Sequence, residues 1–220
     1  MRIRGYKIEP NSQLVGADLS SADLSRADLK GANLENADLS LANLENADLE
    51  GANLEGANLQ GANLQWAYLA NANLINANLS EANLSQANLS QANLYCALLI
   101  EANLEKANLQ WAVLEGAKMR SANLMAANLY GVTASSGALS KDEITNFELA
   151  NLTEANLYLA ILDGTSFNGA NLSRASFSGS TIRNTDFTNA ILTGATFTNA
   201  EPLTNAILSG ATLPDGTIHE

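Results

Sequence analysis

The chain has 220 residues, 23 acidic against 11 basic side chains, a formal net charge of −12 and 5% aromatic residues. A surface this acidic repels nucleic acid and anionic membranes and suits a basic protein partner. One histidine, His219, and one cysteine, Cys96, exclude a His-based triad, a His-rich metal site and an internal disulfide framework within one chain.

In residues 1–13, Arg2, Arg4 and Lys7 are not followed by an apolar run, and no stretch approaches membrane-spanning length. No membrane partner and a cytoplasmic location are therefore expected. Ile3, Tyr6 and Ile8 are expected to lay a short strand over whatever follows, as an N-terminal cap.

Residues 14–130 repeat one five-residue unit, Ala-Asn/Asp-Leu-X-X. Alanine fills its position at all 23 occurrences from Ala17 to Ala127, and the central leucine from Leu14 to Leu129 is replaced only by Met119. Every fifth residue scatters around a helix, whereas in an extended segment residues two apart share a side. Ala and Leu therefore face inward together, and Asn or Asp between them faces water. The remaining two positions, rich in Gly, Ser, Asn and Gln, turn the chain. Such units survive only by burying their apolar side chains against neighbouring copies.

Several residues in this block break the pattern. Ile75 and Tyr95, twenty positions apart, form with Cys96 and Leu98 an apolar edge on positions that should face water. Trp111 and Tyr130 are large outward aromatics next to the point where the repeat fails. Acids recur at the same spacing, as Asp18 and Asp38, Asp28 and Asp48, and Glu35 and Glu55, and are read as a solvated face. Asn33, Asn53, Asn73 and Asn93, like Asn43 to Asn123, read as amide ladders between coils.

Residues 131–146 carry no pentad and are read as an inserted loop. Ser140-Lys141-Asp142-Glu143 has the spacing of a helix-capping box, which predicts a short helix. Lys141, Asp142 and Glu143 thus join Trp111 and Tyr130 as candidate partner contacts, since loops carry function on rigid scaffolds. In residues 147–213 the repeat resumes. Thr145-Phe147, Thr165-Phe167 and Thr185-Phe187 recur at a constant spacing of twenty positions, as do Phe177 and Phe197. Stacking like on like makes four pentads one closed coil. Glu201-Pro202 shifts the register by one residue, and Pro214-Asp215-Gly216 reads as a turn opening the tail, 214–220.

On these motifs the chain resembles the pentapeptide-repeat family over most of its length. The resemblance implies an all-β fold, a right-handed quadrilateral β-helix, here of about nine to ten coils. The closing segment LPDGTIHE resembles that of many cyanobacterial members. No enzymatic residue set, metal site or cofactor is expected. The expected role is a non-enzymatic scaffold or interaction module binding an unidentified protein partner, as a monomer or weak end-to-end dimer and without direct nucleic-acid contact. Some family members imitate duplex DNA and occupy the DNA-binding groove of DNA gyrase, so the acidic surface also fits a mimic.

Overall fold

The computed structural model describes residues 1–135, 144–200, 203 and 206–220. Each pentad forms one side of a square coil, and its backbone shows why. In the unit 37–41, Ala37 N–H donates to Leu34 O across the preceding turn (3.0 Å), Asp38 N–H to Ala17 O one coil below (2.9 Å), and Leu39 N–H to Asn58 O one coil above (2.7 Å). Ser40 N–H donates to the Asp38 side-chain oxygen (3.0 Å) and Leu41 N–H to Gln60 O above (2.9 Å). All five N–H groups are satisfied, four by neighbouring backbone and one by the Asn/Asp side chain. That side-chain bond explains the residue choice, because a short carboxylate or amide two residues back reaches the turn N–H.

The third residue of each turn is left-handed, as at Asn36 (φ 54°) and Gly56 (φ 64°), the conformation a type II turn requires at that position. Asn and Gly adopt it with least strain. Leu41, Trp66, Trp111, Leu149 and Leu159 adopt it too, which throws large side chains outward at the corners.

The residues at the Asn/Asp position of the pentads pair by parallel bridges in four columns, one per side. The first side runs from Gln13 through Asn93, Val113 and Ile161 to Thr181, and the second from Asp18 through Leu98 and Lys118 to Ile207. The third runs from Asp23 through Asn123 to Thr212, and the fourth from Asp28 through Tyr68 and Asn128 to Thr196. Up to Val113↔Thr133 the partners keep the spacing read from the Phe series, so four pentads do close one coil. The amide ladder from Asn43 to Asn123 forms in full, as in Asn83 Nδ2 donating to Asn63 Oδ1 (3.2 Å), whereas the one from Asn33 runs only to Asn73, whose Nδ2 donates to Asn53 Oδ1 (2.9 Å).

Inside, the alanines and leucines at the motif's first and third positions in the first block are buried, in a single column. Ser85, expected on the outside, is buried as well, at 8% exposure. In the second block the column widens to rings. Phe147, Phe167 and Phe187 stack at centroid distances of 4.9 and 5.4 Å, and Phe177 on Phe197 at 4.8 Å. Thr145, Thr165 and Thr185, at the alanine position, are buried, and their hydroxyls donate to Leu114 O, Ala134 O and Leu162 O.

The repeat reaches further than its motif. Val132 and Ala134 are buried in the column and Thr133 bridges Val113 and Ile161, so this unit continues the coil with large and small residues exchanged. Across the insertion the separation between stacked partners rises to 28, as in the Asn123–Asn151 and Asn128–Asn156 amide bonds. Lys118↔Asn146 and Thr133↔Ile161 share that longer step. The extra chain, eight positions, therefore enters between Ala134 and Thr145, not over the whole of 131–146. The expected helix at Ser140–Glu143 lies outside the described residues. The later shift appears as a separation of 21 in Asp186↔Ile207 and Ile191↔Thr212.

Both ends of the column are covered. Arg2–Ile3 (β1) and Tyr6–Lys7 (β2) form an antiparallel hairpin, not a lone strand, through the left-handed pair Arg4 and Gly5. Ile8 is buried, Ile3 and Tyr6 pack on the column, and Arg4 pairs with Asp18. At the other end the turn at 214–216 folds Ile218 back onto Thr212, and His219 N–H donates to Ala211 O (2.8 Å), so the tail pairs its backbone with the last coil.

Candidate interaction surface

The corner between the fourth and first sides carries an aromatic group on the outside of the rod. Trp111 meets Tyr130 edge to face, with centroids 5.0 Å apart, and Tyr130 stacks on Tyr158 at 5.5 Å and 22°. The expected Trp111–Tyr130 pair is therefore in contact, and Trp111 remains 50% exposed. Tyr158, absent from the sequence-derived set, completes the ladder. It lies one coil above Tyr130 once the inserted positions are counted.

Trp111 takes its pose from the residue one coil above it. A Cβ on Gly131 (φ 63°) would sit on Cζ3 and Cε3 of the indole, inside van der Waals contact, and 2.8 Å from Cη2. The ring thus lies across the glycine. Leu159 lies on Gly179 by the same rule, with its Cδ2 2.8 Å from the corresponding point. Gly131→Ala should destabilise the rod by about 2 to 4 kcal/mol, combining left-handed strain with an overpacked contact. In Trp111→Ala the same substitution should cost only the ~1–2 kcal/mol of strain. Denaturant melts of the two single variants and the double variant measure the coupling, and additive costs would show that the ring does not rest there.

The other sequence-derived group falls elsewhere. Ile75, Tyr95 and Cys96 occupy the corner between the first and second sides, with Leu98 beyond it on the second side. The turn bonds Gly56 N–H to Ile75 O and Asn76 N–H to Tyr95 O place Ile75 and Tyr95 one coil apart. Two coils above Tyr95 on this corner is Ser135, where the insertion departs. The insertion therefore belongs to the Ile75–Tyr95 corner, one whole side away from Trp111 and Tyr130. Between Tyr95 and Ser135 on this corner, Glu115 has a buried Oε2 without a hydrogen-bond partner among the described residues. Lys118 Nζ donates to Ile144 O (2.8 Å) where the chain returns, beside an open groove of about 400 Å³ that Asn146, Ser166 and Asp186 also line. Lys141, Asp142 and Glu143 lie outside the described residues.

Charge divides the rod along its length. Residues 9–55 hold ten of the acids and two of the bases, a net −8 out of −12. Here the Ser20 hydroxyl, then its backbone N–H, hold the Asp18 carboxyl below its ordinary range, and Ser40 does the same for Asp38. Above these coils the corners differ. Glu115, Asp163 and Arg183 line the first–second corner; Glu81, Glu101, Arg120 and Glu148 the second–third; Glu105, Lys106, Glu154 and Arg174 the third–fourth. The fourth–first corner and its two flanking sides carry no charged residue from Tyr68 to Asn199 among the described residues. Seven coils at ~4.8 Å spacing make this stripe roughly 30 Å long. Its exposed apolar residues include Tyr68, Trp111, Tyr158, Leu159 and Ile161. Charge depletion with aromatic enrichment is the composition of a protein-interface centre.

Among the described residues, no group of three His, Cys, Asp or Glu side chains is placed to hold a metal ion, and no helix is long and apolar enough to cross a membrane.

The repeat is shared with known proteins. A family model described as pentapeptide repeats matches in overlapping stretches from 11–40 to 92–131, then over 145–169 and 170–201. Among solved structures, HetL, a pentapeptide repeat protein involved in heterocyst differentiation regulation in the cyanobacterium Nostoc sp. strain PCC 7120, is 34% identical. That match covers 96% of this chain and 88% of HetL, with a TM-score of 0.39. Rfr23 from the cyanobacterium Cyanothece 51142 is 36% identical over 48% of this chain and 85% of its own, with a TM-score of 0.47. QnrB1, a plasmid-mediated fluoroquinolone resistance protein, is 21% identical over 96% of this chain and 94% of its own, with a TM-score of 0.45. A comparison with curated proteins gave no match. The matched repeats span both blocks of the solenoid and leave out the region where the insertion breaks them, and the chain belongs to the pentapeptide-repeat family.

Proposed function

We propose that this chain is a non-enzymatic interaction module whose contact surface is the uncharged aromatic stripe at the fourth–first corner. The observation that carries this reading is the Trp111–Tyr130–Tyr158 ladder on the one corner without charge among the described residues above Tyr68. A rigid rod holds these rings at fixed spacing with little ordering cost on binding. The test is recovery of partners from native lysate by the intact rod and by a Trp111→Ala, Tyr158→Ala variant. Loss of specific partners with an unchanged melting temperature is expected. Equal recovery by both rods would remove the stripe from the function and pass attention to the Ile75, Tyr95 and Leu98 edge.

A second reading, a DNA-mimic regulator of DNA gyrase or another DNA-binding protein, is favoured by the −8 concentrated in residues 9–55, with acids on the second, third and fourth sides and at three of the corners. It predicts inhibition of gyrase supercoiling that weakens as salt screens the charges. No inhibition at low salt would leave the interaction module alone.

A further inference from the structure

The stripe is neutral on a strongly acidic molecule, and this restricts what it meets. A basic partner is drawn to the acidic coils of residues 9–55, not to a corner without charge. Two copies of a −12 rod repel one another wherever their charged corners approach, and least where stripe meets stripe. The second copy also offers matching chemistry, because charge-depleted aromatic surfaces pack with their like.

The positions along the rod select an orientation. Trp111 lies one coil below Tyr130, and Tyr158 with Leu159 one coil above it. Rotation about a two-fold axis at Tyr130 therefore sets Trp111 of one copy opposite Tyr158 and Leu159 of the other, as an isologous contact demands. Residues 9–55 lie close to four or more coils below Tyr130, while the last coil lies three above it. An antiparallel pair lets each acidic segment overhang the other copy's end. A parallel pair sets the two −8 segments side by side.

We infer that a second copy of this chain docks on the stripe, side by side and antiparallel, about a two-fold axis at Tyr130. The inference rests on the reading of the stripe as the interface and names its occupant. It differs from an end-to-end dimer, since the terminal hairpin and the returning tail occupy the ends of the column.

Sedimentation of the intact chain should show a concentration-dependent dimer. Trp111→Ala with Tyr158→Ala should weaken it about tenfold or more while leaving the melting curve in place. Cross-linking tests the geometry with the aromatics intact. Ser90 and Ser178 lie two coils below and two above Tyr130 on the same corner, so in a Cys96→Ser background Ser90→Cys and Ser178→Cys should form a disulfide-linked dimer when mixed. Neither should cross-link alone. A monomer at every concentration overturns the inference, and so does self-linking by Ser90→Cys alone, which marks a parallel pair. A monomer whose stripe variant still loses lysate partners sinks the second copy and keeps the interface. A dimer whose stripe variant keeps every lysate partner supports the second copy and sinks the partner reading of the stripe.

Discussion

Phe167→Ala should destabilise the second block by about 3 to 5 kcal/mol, the range for removing a fully buried ring. Phe167 stacks on Phe147 (4.9 Å) and Phe187 (5.4 Å) and meets Phe177 edge-on (6.1 Å), so it ties together four rings of one column. The backbone cannot collapse into the space. Phe167 N–H donates to Asp186 O (2.7 Å) and Phe147 N–H to Ser166 O (2.8 Å), which hold adjacent coils at strand spacing. Stability in a stacked rod is a sum over nearest neighbours, so the loss stays local. Trp66 and Trp111 both lie in the first block and report only there by fluorescence, whereas circular dichroism reports every coil. The variant should show dichroism loss at lower denaturant than fluorescence loss. Coincident transitions at the wild-type midpoint would show that the ring stack does not support the second block.

Leu84→Ala should cost about 2 to 5 kcal/mol, through lost burial and a cavity the rigid coil cannot close. Leu84 has no exposed surface, and its N–H is held by Asn103 O at 2.7 Å. Gln60→Ala, on an exposed turn position, should change stability by less than about 0.5 kcal/mol. The chain carries its own version of a repaired site, since Val132 and Ala134 place the larger side chain at the alanine position. Adding Ala82→Val to Leu84→Ala should therefore restore part of the loss. Denaturant midpoints measure all three. Equal effects from Leu84→Ala and Gln60→Ala would overturn the assignment of inside and outside.

What the sequence determined by itself is whatever repeats. The alternation of Ala and Leu about Asn or Asp sets inside against outside, because residues two apart in an extended segment share a face. The regular return of Thr-x-Phe at 145, 165 and 185 sets the coil length, because like stacks on like between coils. The amide ladders follow from the same register. Ser85 is an exception, legible as a turn residue and yet buried.

Tertiary structure decided everything that depends on which corner a residue occupies. The extra chain that enters after Ala134 breaks the arithmetic by which stacked positions coincide, and this hid Tyr158 from Tyr130. Val132-Thr133-Ala134 lacks the motif's letters but keeps its burial, because total side-chain volume and backbone pairing, not residue identity, hold the column. Trp111 and the insertion are neighbours in sequence but sit on corners a full side apart, since each pentad turns the chain by a right angle. The neutral stripe is likewise invisible along the chain, where its residues alternate with charged ones from three other corners. It exists only because closing the coil every four pentads gathers residues from seven turns onto one edge.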